Sequence, residues 1–208
     1  MTQEEGIWVV GYGSLIYKPP PHSTYCIPGL IYGFKRRFWQ SSSDHRGTVE
    51  SPGRVATLVP DPKSKVLAVS YYIPPDFVPQ VTEYLNVREQ DGYKACTVLT
   101  HLHPPQDLPL LAQERLDKLP IDVSTGKHTV ESVVYIGTED NGSYIGPEPI
   151  IDTARVIATN VGPSGSNYDY LKLLHDALNR MAAAMRCKLS DIEDTYLDNL
   201  FEAVQLTT

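Results

Sequence analysis

"VLAVSYYIPPDFVPQVTEYLNVREQDGY", residues 66–93, changes its period halfway along. Five of its first eight residues are β-branched or aromatic, and the run stops at a proline, which reads as a strand. From Phe77 the large apolar residues recur at Val81, Tyr84 and Leu85, the spacing of one helix face. Asp76 is placed to cap that helix. Pro79 falls in its first turn, where a missing N–H is tolerated, and Gly92 ends it. The same chain thus commits to a strand and then to a helix within one short stretch.

On the N-terminal side the strand character continues. "IWVVGYG" (7–13), "GLIYGFKRRFWQ" (29–40) and "GRVATLVP" (53–60) are short β-forming runs between glycine and proline turns. "PDPKSK" (60–65) reads as a tight connection into the run at 66–73. On the C-terminal side, "KACTVLTHLH" (94–103) and "ESVVYIGTE" (131–139) supply two more strands. Between them, residues 104–129 are rich in proline and charge, with one short helical candidate at 110–119. They read as an excursion from the body.

The last third is helical. Residues 166–185 carry Leu171, Leu174, Leu178 and Met181 on one stripe, opened by Ser166-x-x-Asp169. Residues 190–206 repeat the pattern with Ser190-x-x-Glu193. Strands first and helices last predict an α+β fold rather than alternating α/β. There is no internal repeat.

The chain has 208 residues, enough for one domain or one domain with a large insertion. A net charge of −7 argues against nucleic acid or an anionic membrane as partner. No apolar run approaches the roughly 20 residues that span a bilayer. Cys26, Cys96 and Cys187 lie far apart without metal spacing, which suits free thiols in a reducing compartment. The acidic, polar start carries no secretory pattern. The expectation is a cytosolic protein, with the nucleus also open.

Three stretches could carry chemistry. "GYGSL" (11–15) is either a tight turn or a backbone cradle for a carboxylate or oxyanion, since glycine allows close approach. It lacks the residues of a P-loop or dinucleotide fingerprint. "REQDGY" (88–93) gathers Arg88, Glu89 and Asp91 at a helix end. This is either a solvated terminus or a carboxylate whose pKa is raised by burial and the helix dipole, as a general base for an ammonium group requires. "FKRRFWQSSSDHRGT" (34–48) mixes cations with Phe38 and Trp39. On a strand Arg36 and Arg37 must face opposite ways. Arg36, Arg37, Arg46 and Arg54 are all candidates to meet a substrate carboxylate. His101 and His103 share a strand face without a third ligand, His175 lies on an amphipathic helix, and Cys96 reads as an inert thiol.

In order, "VVGYGSLIYKP", "GFKRRFWQSSSDHRGT" with "PGRVATLV", "YLNVREQDGY", "YIGPEPI" and "GPSGSNYDYL" resemble the glutathione-specific, ChaC-type γ-glutamylcyclotransferases over roughly residues 7–200. The resemblance implies a γ-glutamylcyclotransferase-like α+β fold, a small mixed β-barrel flanked by helices in a single domain spanning 1–208. It implies cleavage of glutathione to 5-oxoproline and cysteinylglycine, with no metal and no organic cofactor. It makes Glu89 the catalytic acid/base and Tyr12, Gly13, Ser14 and Leu15 the substrate loop, led in by Val10 and Gly11. Tyr144 takes the place of an aromatic residue near the site. Two features depart from the family pattern. Tyr17 stands where tryptophan is common, and residues 104–129 form an insertion. Other γ-glutamyl peptides or amines as substrate, a non-catalytic γ-glutamyl-binding module, and an RNA binder using residues 35–39 are the competing readings.

Overall fold

In a computed structural model, which describes residues 6–89 and 92–207, the long strands dictate the architecture. β1 (Ile7–Gly11), β2 (Tyr25–Ser42) and β3 (Gly53–Ile73) are followed by α1 (Val78–Arg88) and β4 (Tyr93–Leu102). Next come α2 (Leu110–Leu116), β5 (Ile121–Asp122) and β6 (Lys127–Gly137). α3 (Ile150–Thr159), the two-residue strands β7 (Val161–Gly162) and β8 (Gly165–Ser166), α4 (Asn167–Ala184), α5 (Leu189–Ile192) and α6 (Tyr196–Gln205) complete the chain.

β2 and β3 form a long hairpin that runs from Tyr25↔Tyr72 to Ser42↔Gly53. β1 pairs antiparallel with β3, β2 with β4, and β4 with β6. A parallel contact at Val9↔Val133 joins β1 to β6, so these five strands form a closed loop of pairings, with β5 on the outer edge of β6.

The period-2 alternation of β1 sorts its side chains between two packing zones. Val10 joins Leu30, Phe38, Leu58 and Leu67 in the main core, which α4 and α6 cover with Leu171, Leu174, Leu178, Leu197 and Leu200. Val9 faces the other way and packs with Ile73, Val81 and Leu85, so α1 lies against the opposite side of β1. Leu15 belongs to this second cluster. The loop after β1 and the end of α1 are therefore packed together. A buried leucine contributes roughly 1.5–3 kcal/mol, and that holds them there. Met181 of the predicted stripe is only partly buried at the edge of the main core.

Several local expectations give way to tertiary structure. "PDPKSK" is not a break between two strands. β3 runs through it, and pairing with β2 steps from Tyr32↔Lys65 to Phe34↔Pro60, leaving exposed residues to bulge outward. Asp76 does not cap α1. It sits inside a short 3-10 turn, Pro75–Phe77, and Phe77 precedes the helix without a side-chain cap. Only Val81 and Leu85 of the predicted α1 stripe are buried. Gly92 has φ +82°, which suits a glycine after a helix end.

The Ser166 cap forms as expected, with the Asp169 amide donating to its Oγ at 3.0 Å. The Ser190–Glu193 box does not form. The N-cap of α5 falls two residues earlier, at Lys188, whose amide donates to Asp191 at 3.0 Å. Glu193 instead reaches into the strands to Arg36. β6 starts at Lys127, inside the segment expected to be an excursion. That segment also holds α2, close to the helical candidate, and β5, whose Asp122 accepts from His101 Nε2 at 3.0 Å. His103 lies one residue beyond β4, and Cys96 is half-buried. The helices are not membrane spans: no described helix is long and apolar enough to cross a bilayer.

Candidate active site

A cavity of about 300 Å³ opens where the end of β1, the end of α1 and the turn before α4 meet. Val10, Gly11, Tyr12, Gly13, Ser14, Leu15 and Glu89 all line it. The stretches singled out in the sequence thus share one pocket: 11–15 and the start of 88–93 meet there, and 34–48 adds Ser42, Asp44, His45 and Arg46. Asp91 lies outside the described residues. Tyr144 does not line the cavity; it bridges Gln40 at the far end of β2. Tyr17 does not line it either, and packs edge-on against Tyr170 at 6.3 Å.

The 11–15 loop tightens into a 3-10 turn, Ser14–Ile16, in which the Ile16 amide donates to Gly13 and the Lys18 amide to Ser14. The amides of Ser14 and Leu15 open that turn, so no residue of the turn itself can accept from them. Neither Gly11 nor Gly13 has positive φ. Their requirement is space. A Cβ on Gly11 would lie 2.5 Å from Leu15 Cβ, and one on Gly13 would lie 3.0 Å from the Tyr170 hydroxyl. That hydroxyl accepts from the Ala56 amide at 3.2 Å. Gly13→Ala is therefore expected to displace Tyr170, itself part of the cavity wall, and to cut turnover about tenfold or more, with a loss of stability of only about 1 kcal/mol. Steady-state rates beside a urea titration check this; equal loss of both would make the glycine a turn residue only.

Glu89 sits on the last turn of α1, its amide bonded to the Leu85 carbonyl at 2.8 Å. Its side chain is 17 % exposed. Burial is the main cause that pushes its carboxyl above the ordinary glutamate value. Arg88 and His45 pull it back and Asp44 adds to the rise. Arg88 Nε lies 3.3 Å from Glu89 Oε1, and its Nη2 donates to Ser14 Oγ at 2.8 Å. One guanidinium thus ties the acid to the loop. Tyr12 does not bond Glu89. Its hydroxyl donates to the Tyr135 carbonyl at 2.8 Å, and burial keeps the phenol neutral. Tyr135 in turn donates to Asn86 on α1 at 2.8 Å.

The four candidate arginines separate cleanly. Arg36 is consumed by Glu193 at 2.5 Å, Arg37 by Asp194 at 2.6 Å and Arg54 by Glu148 at 2.9 Å. Arg46 alone of the four lines the cavity. It is 4 % exposed, donates to the Ser166 carbonyl at 3.0 Å, and has no carboxylate partner among the described residues. Its guanidinium lies 5.5 Å from the Tyr170 ring centroid. A nearly buried cation without a counter-ion is costly unless a ligand supplies one.

Sequence reasoning missed Arg88, Lys18 and His45 as lining residues. Arg88 and His45 lie in the stretches 88–93 and 34–48, yet nothing local says that these share a pocket, and Lys18 lies outside all three stretches. His45 is held by Ser164 Oγ at 3.0 Å, a residue 119 positions away in the chain.

A closed set of strands with helices packed on it, and a cation-lined cavity around a shielded carboxylate, define an α+β protein. Residues 7–207 match the family described as ChaC-like protein, and the chain belongs to that family. It is 47 % identical to the glutathione-specific gamma-glutamylcyclotransferase of Saccharomyces cerevisiae, over 98 % of each chain. It is 35 % identical to the protein of that name from Schizosaccharomyces pombe, over 88 % of this chain and 87 % of the other. A crystal structure of a yeast γ-glutamyl cyclotransferase specific to glutathione superposes with a TM-score of 0.89 at 44 % identity, covering 98 % and 97 % of the two chains. The γ-glutamylcyclotransferase-like fold implied by the sequence motifs is the one observed.

Proposed function

We propose that this chain is a glutathione-specific γ-glutamylcyclotransferase that converts glutathione to 5-oxoproline and cysteinylglycine. The observation that carries the reading is Glu89, shielded, raised in pKa and tied through Arg88 to the 11–15 loop inside a cationic cavity. The names of its relatives agree with it.

The chemistry divides among these residues. The γ-glutamyl amine must attack its own γ-carbonyl, and holding the folded conformer supplies much of the rate of such an intramolecular step. Arg46 takes the glutamyl α-carboxylate, since it is a buried cation that lacks one. That leaves the Ser14 and Leu15 amides for the oxyanion that forms on the γ-carbonyl. Glu89 removes a proton from the ammonium, the amine closes the five-membered ring, and the γ-carbon–nitrogen bond breaks. The same carboxyl gives that proton to the departing cysteinyl nitrogen, then carries the second proton of the ring nitrogen to the freed amine, which leaves as an ammonium. A site that only bound γ-glutamyl ligands would not require a shielded carboxylate of raised pKa beside the amine.

Because Glu89 works as a base, its protonation ends activity as pH falls. The carboxyl is raised, so the acid limb of kcat/KM is expected above the range of an ordinary glutamate, about 4.3. A pH–rate profile on glutathione tests this; an acid limb at or below that range would contradict it. Measuring 5-oxoproline from glutathione beside γ-Glu-Cys and γ-Glu-Ala tests the substrate assignment, with glutathione expected to be preferred. The three free cysteines fit a reducing compartment, and we place the protein in the cytosol or nucleus.

A further inference from the structure

We infer that Lys18 seats the carboxylate at the far, glycyl end of a γ-glutamyl tripeptide and makes the cavity select that charged tail. This rests on the cyclotransferase reading above and adds to it the determinant of the leaving group. Three fixed cations, Lys18, Arg46 and Arg88, line the cavity against two carboxylates, Glu89 and Asp44. Glu89 is matched to Arg88, and Asp44 lies 3.5 Å from His45. Lys18 and Arg46 have no carboxylate partner among the described residues, so the cavity carries positive charge that a ligand must balance.

Depth orders the two sites. Arg46 is nearly buried, Glu89 is shielded, and Lys18 is exposed at the rim. With the γ-carbonyl at Glu89 and the α-carboxylate turned inward to Arg46, the cysteinyl-glycine part must run outward, and its terminal carboxylate reaches the rim. The backbone of Lys18 is fixed for this. Its amide donates to the Ser14 carbonyl at 2.9 Å, its carbonyl accepts from Arg88 at 3.4 Å, and three prolines, 19–21, follow it. Partial burial lowers the pKa of the ammonium, with Arg46 and Arg88 adding to the fall.

The test is steady-state kinetics on glutathione and its glycyl monoethyl ester, with the parent, Lys18→Met and Lys18→Arg. The parent is expected to prefer glutathione by about tenfold in kcat/KM, carried by KM. Lys18→Met should treat the two alike, and Lys18→Arg should keep the preference. If Lys18→Met keeps the parent's preference, or if the parent shows none, another group or no group reads the glycyl carboxylate and the inference fails alone. If the parent releases no 5-oxoproline from either compound, the cyclotransferase reading fails and takes the inference with it.

Discussion

Glu89→Gln is expected to lower 5-oxoproline release from glutathione by about 10²- to 10⁴-fold, the usual contribution of a positioned acid/base. Glutamine keeps the shape, and its carbonyl can still accept from Arg88 Nε, which lies 3.3 Å from the carboxylate. Stability should move the other way or not at all. The folded pKa of Glu89 is raised, so the stability this group contributes is present below its unfolded value and lost as pH rises through the folded one. At neutral pH the buried carboxylate therefore costs stability, and a neutral amide removes that cost. A urea midpoint equal to or above the parent's, with turnover nearly abolished, is the expected pair of results. Parental turnover would remove Glu89 from the chemistry. Loss of activity and midpoint together would make it a structural residue.

Arg36→Met is expected to destabilise the fold by about 3–5 kcal/mol at pH 8, because it strands a buried carboxylate. Arg36 is 1 % exposed, bonded to Glu193 at 2.5 Å and to the Leu67 carbonyl at 2.6 Å. The pair fastens the segment between α5 and α6 to β2 and β3. Burial raises the Glu193 carboxyl, while Arg36 is the largest influence holding it down. The raised pKa means this group's stability contribution is full at low pH and falls as pH rises through the folded value. Removing Arg36 raises the carboxyl further and extends that fall to higher pH. The deficit should thus be smaller at pH 6, where Glu193 takes up a proton, than at pH 8. Denaturant titrations at both values check this, and a deficit independent of pH would show that Glu193 does not titrate in the folded protein.

This ion pair also shows where the sequence stopped being readable. Strand alternation alone required Arg36 and Arg37 to differ in surroundings, and Arg36 is buried while Arg37 is partly exposed. Their partners, Glu193 and Asp194, lie 157 residues downstream, where no local pattern signals them. The predicted Ser190–Glu193 cap failed for the same reason: the local rule competed with a buried cation for one carboxylate and lost. The two halves of the site were legible because each carries a local signature, glycines at a strand end and a carboxylate at a helix end. The packing of Leu15 with Leu85 that joins them became visible only in three dimensions. Arg46 was one of four equivalent arginines in the sequence. It stands apart because tertiary pairing occupies the other three.

The central claim is that ring closure, not hydrolysis, cleaves the γ-glutamyl bond. Glutathione incubated with the protein in water enriched in heavy oxygen tests it most directly, with products identified by mass. Equimolar 5-oxoproline and cysteinylglycine are expected, the 5-oxoproline without heavy oxygen because its own amine was the nucleophile. Free glutamate carrying heavy oxygen in its γ-carboxyl would contradict the claim.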